Sequence, residues 1–287
     1  MSPIVTLLLG ETLLNLYPIL VKTAGTSLFN QILIRLVTTC VICAPFVSAS
    51  FSWTWLLQPK YFLISLLYLL HIYASYYAFI QLNVGVALTL FYLYPIFNIV
   101  LNNVLHRTLP DPHLMGALVI CLIGVWMIGI SSGPNQSQVE INHWWPVWVM
   151  IFAAFSESVI FTVIKHDQAI QHNPNDILLV LSFIGAIILI VRSVIDWRQE
   201  SATLSIRLVM ILVLLNVVIG VGGHWLHFYS LSRMTTEWFS TLMFVEVIIG
   251  YLLGWLILNE RLTVWHLIGT LVIIGGIWLS HATLNHV

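Results

Sequence analysis

Charge is what this chain has least of. Only 7% of its 287 residues are Asp, Glu, Lys or Arg. A soluble domain carries about a quarter, so an ordinary cytosolic protein is excluded. Lys+Arg 10 stand against Asp+Glu 11 for a net charge of −1, which leaves no basic surface for nucleic acid. Cysteine is scarce too: Cys40, Cys43 and Cys121 all lie in apolar runs. Cys40 and Cys43 form a C-x-x-C, but without a second ligand pair they read as small packing residues rather than a metal or redox site. A basic n-region is also missing from the N-terminus, and Glu11 interrupts the first apolar stretch. The first helix is therefore expected to stay in the mature protein.

What is plentiful is hydrophobic surface, at 60% of residues with a mean hydropathy of +0.98. A spanning helix takes about 20 apolar residues, so ten fit and no sizeable soluble domain remains. The apolar stretches place spans at 3–24, 28–48, 60–80, 84–105, 112–131, 144–165, 176–195, 206–229, 234–258 and 263–281. Polar breaks separate them, among them Gln58-Pro59-Lys60, the two-proline stretch 106–112, and Asn173-Pro174-Asn175-Asp176. The break at 81–85 has no charge, which makes nine spans the rival count. The fold class is an all-α polytopic membrane protein. Four Lys or Arg fall on one side of the bilayer and five on the other, Arg35 set aside, so the positive-inside rule does not orient the chain.

Internal repetition is the strongest organising signal. Tyr92-Leu-Tyr-Pro95-Ile-Phe-Asn98, Leu105-His-Arg-Thr-Leu109, Leu114-Met-Gly116 and Gly124-Val-Trp126 recur as Phe244-Val-Glu246, Leu258-Asn-Glu-Arg-Leu262, Leu267-Ile-Gly269 and Gly276-Ile-Trp278. Tyr17-Pro-Ile-Leu-Val-Lys22 is echoed by Phe161-Thr-Val-Ile-Lys165. One transmembrane domain over 1–287 then consists of a first five-helix repeat at 1–133 and a second at 144–287. An odd number of spans per repeat puts the two copies in opposite membrane orientations, as in secondary transporters.

These motifs resemble the drug/metabolite transporter superfamily, specifically its ten-helix EamA-type members. Leu258-Asn259-Glu260-Arg261-Leu262 is similar to the family's turn between spans 9 and 10, Ala153-Ala-Phe-Ser156 to the opening of its second repeat, and Arg35 occupies a position where the family usually has an Arg. Arg107 stands in place of the Glu of the first turn, Val247 in place of a Pro, and Glu11 and Asn15 in place of small and Trp residues. The resemblance implies a pseudo-symmetric bundle whose central cavity, lined by spans 1, 3, 4, 6, 8 and 9, opens to either side in turn, with spans 5 and 10 peripheral.

Ionisable groups at bilayer depth cost about 2.5–3.5 kcal/mol each on insertion scales, so each calls for an explanation. Glu11 and Glu157 sit in related places, roughly two turns before Lys22 and Lys165. Both are candidates to face the transport path, or else neutral carboxyls bonded between helices. Glu246 reads as mid-span, with Gly250 and Gly254 following on a close-packing face; Glu237 reads as interfacial. Gly220-Val-Gly222-Gly223 predicts an unwound segment in span 8, next to His224 and His227. The two His lack a third metal ligand fixed by spacing, so contact with substrate or protons is preferred. Spans 3 and 4 add His71, Tyr73, Tyr76, Tyr77 and Tyr92. Tyr94, Asn98 and Asn102 recur every four residues and share one face, which is expected to point inward. The candidate substrate-binding residues are thus Glu11, Asn15, His71, Tyr76, Tyr94, Asn98, Asn102, Glu157, His224, His227 and Glu246. Aromatics, amides and acids together suit a cationic or zwitterionic organic molecule.

No H-E-x-x-H or G-x-S-x-G motif is present, and the four Asp fall in loops or at span ends, which disfavours an enzyme embedded in the membrane. Repeated filter motifs of a channel are absent as well. Asn135-Gln-Ser137 is a glycosylation sequon only in a eukaryotic secretory setting. The expectation is a transporter, not an enzyme, without cofactor or metal, that moves a small polar organic metabolite such as an amino acid or amine by alternating access. Its partners are the substrate, the lipid bilayer and coupled protons if exchange uses them, and no nucleic acid. Monomer and homodimer both stay open, and the expected setting is a bacterial inner (plasma) membrane.

Overall fold

The computed structural model describes residues 2–82, 84–131, 144–195, 205–258 and 261–284. Among them every regular element is a helix, and ten helices are long and apolar enough to cross a membrane. They are span 1 (Pro3–Val21), span 2 (Leu28–Phe46), span 3 (Pro59–Gln81), span 4 (Val86–His106), span 5 (Pro112–Gly129), span 6 (Trp145–Lys165), span 7 (Pro174–Ile195), span 8 (Ile206–Leu231), span 9 (Thr236–Ile257) and span 10 (Val264–Thr283). Ten rather than nine is the count, because the uncharged break after Gln81 does end a helix, which restarts at Val84. The lipid-facing character is plain in exposed residues such as Val194, Leu214, Leu271 and Trp278, each more than 60% accessible. So much exposed apolar surface on spans of this length suits a lipid bilayer. Trp53, Trp144, Trp145, Trp148 and Trp265 are likewise exposed near span ends, as interface anchors are.

Local chemistry accounts for where helices start, bend and stop. Side-chain oxygens of Ser27, Ser205 and Thr235 accept from the backbone N–H three residues on, capping spans 2, 8 and 9. Span 4 ends at Arg107, whose φ of 56° is left-handed and turns the chain into the two-proline loop. Span 1 breaks after Leu14 and resumes at Tyr17, and span 4 breaks after Phe91 and resumes at Tyr94. Each new segment carries Pro at its second position, Pro18 and Pro95, and proline has no N–H for the carbonyl four residues back. Span 9 breaks in the matching place, between Leu242 and Val245, without proline. There the N–H groups of Phe244 and Glu246 bond three residues back instead of four.

The helices cluster into two compact units, Met1–Tyr76 with Val163–Ser232, and Tyr77–Thr162 with Arg233–Val287. Each draws on both halves of the chain. In the first, span 2 packs on span 7 and span 1 on span 8. Phe29 lies under the Arg192 guanidinium, Leu36 against Gly185, and Ser48 against Asp176, so spans 2 and 7 run antiparallel. The Asp176 carboxylate accepts from both the N–H (2.8 Å) and the hydroxyl (2.6 Å) of Ser48, fastening the end of span 2 to the start of span 7. Lys60 pairs with Asp167 at 2.6 Å.

In the second unit span 5 packs on span 10 and span 4 on span 9. A Cβ placed on Gly124 would stand 2.7 Å from the Gly269 carbonyl oxygen, and one on Gly276 would stand 2.9 Å from that of Ala117. These backbones touch because no side chain intervenes, and the pairing is again antiparallel. At the breaks of spans 4 and 9, the fully buried rings of Tyr92 and Phe244 lie 6.2 Å apart. Those residues occupy equivalent positions in the repeated motif. Counterpart spans that meet antiparallel (2 with 7, 4 with 9, 5 with 10) are compatible with inverted repeats.

Candidate functional site

The first unit gathers polar groups that lie far apart in sequence. Arg35, 8% exposed, sits within span 2. Its Nη1 donates to the Tyr76 hydroxyl at 2.7 Å and its Nη2 to the Tyr68 hydroxyl at 3.1 Å. Nη2 also lies 3.2 Å from His224 Nε2. A guanidinium only donates, so Nε2 accepts there, and the ring proton sits on Nδ1, 2.8 Å from the Gly220 carbonyl. The Tyr17 ring covers the guanidinium at 4.3 Å, a cation–π contact. Tyr17 donates to Asn216 Oδ1 at 2.6 Å, and Asn216 Nδ2 donates to the Arg35 carbonyl at 3.0 Å. Beside this network lies a cavity of about 30 Å3 bordered by Tyr17, Gln31, Arg35, Tyr76 and Asn216, with aliphatic side chains closing the remainder.

Span 8 is shaped to permit this. Residues Asn216–Gly223 wind as π-helix rather than unwinding as the glycines predict. Glycine is needed at 220, where a Cβ would fall 2.2 Å from the Tyr17 hydroxyl and 2.1 Å from Asn216 Oδ1. The wider winding keeps backbone hydrogen bonds in an apolar setting while it turns Asn216 and His224 toward Arg35, and such bulges recur at functional sites.

A second constellation in this unit joins Glu11 and His227. Glu11 Oε1 lies 2.5 Å from His227 Nδ1, and both residues are at least 96% buried. Gly10 makes the approach possible, since a Cβ there would meet the Gly223 carbonyl at 3.0 Å. Asn15 turns its amide back to the Glu11 carbonyl, and His71 stacks on Tyr68 at 6.3 Å. Six of the sequence-derived candidates, Glu11, Asn15, His71, Tyr76, His224 and His227, therefore belong to this unit.

The other five, Tyr94, Asn98, Asn102, Glu157 and Glu246, belong to the second. Tyr94 and Asn98 are buried and Asn102 half-buried, as their shared face predicts. The Tyr94 carbonyl accepts from Ser158 at 2.8 Å. Asn98 Oδ1 is buried with no hydrogen-bond partner among the described residues. Asn102 donates to Glu237 at 3.1 Å, which links span 4 to the first turn of span 9. Glu157 and Glu246 are both half-buried. Glu246 is mid-span, as expected, and lies in the first turn of the segment Val245–Leu258 that follows the break in span 9, where helix-end N–H groups favour a carboxylate.

Tyr17, Gln31, Arg35, Tyr68 and Asn216 are absent from the sequence-derived set, Arg35 having been noted only for a resemblance. One signal was available: Arg35 and Asn216 are each a lone strongly polar residue in an apolar run.

Ten apolar spans with polar clusters buried at their depth define a polytopic helical membrane protein with an internal polar site. Residues 144–281, just under half of the chain, match the EamA-like transporter family. No curated protein matches. A solved protein crystal structure superposes with a TM-score of 0.72 over 99% of this chain and 98% of its own, at 11% identity. That likeness shows the shared fold.

Proposed function

We propose that the protein is a secondary transporter that moves a small polar organic metabolite across its membrane by alternating access. The observation that carries this reading is the buried polar network of Arg35, Tyr17, Tyr76, Asn216 and His224 in a chain that matches the EamA-like transporter family over residues 144–281. Ionisable groups at membrane depth are otherwise rare and tend to mark transport pathways. If transport is coupled to protons, Glu11 and His227 are the pair suited to it, since a buried carboxylate beside an imidazole can share a proton. The test is counterflow in proteoliposomes preloaded with amino acids, amines or organic acids. Saturable exchange of one class supports transport; linear, unsaturable conductance would sink it.

A further inference from the structure

We infer that the cavity beside Arg35 is a docking point for a carboxylate, and that the transported metabolite therefore carries one. This deepens the transport reading above and rests on it. Arg35 has five N–H donors, and its protein partners take three of them, through two phenol oxygens and one imidazole nitrogen. All three partners are uncharged acceptors. Among the described residues no carboxylate pairs with Arg35, the acids Asp167 and Glu11 being joined to Lys60 and His227. A cation that is 92% buried by accessible surface thus keeps its full charge in an apolar unit, with two N–H donors to spare. A buried charge without a counter-ion is strongly disfavoured, whereas an incoming anion gains Coulomb energy little screened by water.

The space fits the chemistry. A cavity of about 30 Å3 has room for about two water-sized atoms, enough for a carboxylate head. Tyr76 accepts from Arg35, which leaves its hydroxyl proton to donate toward the same cavity. The spare donors are Nε–H and one Nη1–H, which lie on different edges of the guanidinium, so one carboxylate oxygen would accept a charge-assisted bond from Arg35 and the other a bond from the Tyr76 hydroxyl. The Tyr17–Asn216 bond holds one wall in place before the ligand arrives, so little has to be ordered on binding. A simple amine has no counterpart here, because the nearest charge has its own sign. The sequence-derived expectation of a cationic or zwitterionic molecule is thereby changed: amino acids remain, organic acids are added, and amines without an anionic group drop out.

The test uses the purified full chain in phosphatidylcholine nanodiscs, with thermal melts at matched chloride. Probe pairs differ only in the charged head: L-phenylalanine against L-phenylalaninamide, and propionate against propionamide. The expected result is a saturable rise of about 3 °C with the carboxylates and none with the amides. Arg35→Gln should abolish that rise. Gln31→Glu is the second variant, in case Arg35→Gln does not fold. One helical turn before Arg35 and also on the cavity, it supplies an internal carboxylate that should occupy the guanidinium and abolish the response in a folded protein. Equal shifts with acid and amide, or a carboxylate response that survives Gln31→Glu, would overturn the inference. So would a shift obtained only when phosphatidylglycerol is added, which would assign the site to a lipid head group. Counterflow on the same preparations separates the two readings. Amine flux indifferent to both variants overturns the docking site and leaves transport standing, while carboxylate binding without any flux overturns transport alone.

Discussion

The contact between spans 5 and 10 makes a sharp prediction at Gly124. Its ideal Cβ would stand 2.7 Å from the Gly269 carbonyl oxygen, 2.7 Å from Ile273 Cγ1 and 3.0 Å from the Ile273 nitrogen. Ordinary contact begins at 3.4 Å, so Gly124→Ala must push the two helices apart by about 0.7 Å. A gap of that size forfeits about a quarter to a half of each dispersion contact along the seam. Two of the three obstructing atoms are backbone, so no rotamer change relieves them. Overpacking of this kind costs about 2 kcal/mol, which lowers Tm by about 5 °C in a chain of this size. Gly275→Ala is the control: it lies on span 10, a Cβ there meets nothing within 4 Å, and the helix gains propensity. The assay is a thermal melt of both variants in nanodiscs. Equal melting temperatures for the two would refute the close-approach reasoning.

Three further substitutions probe other parts of the molecule. His227→Ala leaves the Glu11 carboxylate buried without its imidazole and should cost about 3–5 kcal/mol, whereas Glu11→Gln keeps a hydrogen bond and should cost less; a His227→Ala protein as stable as Glu11→Gln contradicts this. Asp176→Ala removes both bonds from Ser48 and should lose about 2 kcal/mol, while Ser48→Ala removes only the hydroxyl's bond and should lose about half as much, as urea or thermal titration will read. Gly220→Ala places a methyl on the Tyr17–Asn216 hydrogen bond, so it should displace Tyr17 from Arg35 and quench any ligand-induced melting shift; an unchanged shift would mean the network is more tolerant than its geometry shows.

Local chemistry made much of this legible in advance. Hydropathy placed all ten spans within a few residues, because each must satisfy its own backbone in lipid. The four-residue spacing of Tyr94, Asn98 and Asn102 correctly predicted a buried face, since side chains one turn apart share a direction. The glycines of span 8 pointed to an irregular helix, although its form is a wider winding rather than an opening. Arg107, in place of the Glu that the resemblance leads one to expect, terminates span 4 in the left-handed region.

Partnership was another matter. Arg35 meets Tyr76 across 41 residues, Tyr17 meets Asn216 across 199 and Glu11 meets His227 across 216. No periodicity links positions so distant, and the spacing that sorts faces on one helix says nothing about which helix lies opposite. By itself the sequence determined that the chain crosses a membrane ten times and which few polar residues go with it, because burying charge in lipid is penalised locally, residue by residue. Only the tertiary structure decided which of those residues neutralise one another and which keep a charge to spare. Glu11 is answered by His227, while Arg35 is met by uncharged acceptors alone. That difference depends on distances between helices, and it turns a membrane-buried cation from a packing cost into a place for a ligand.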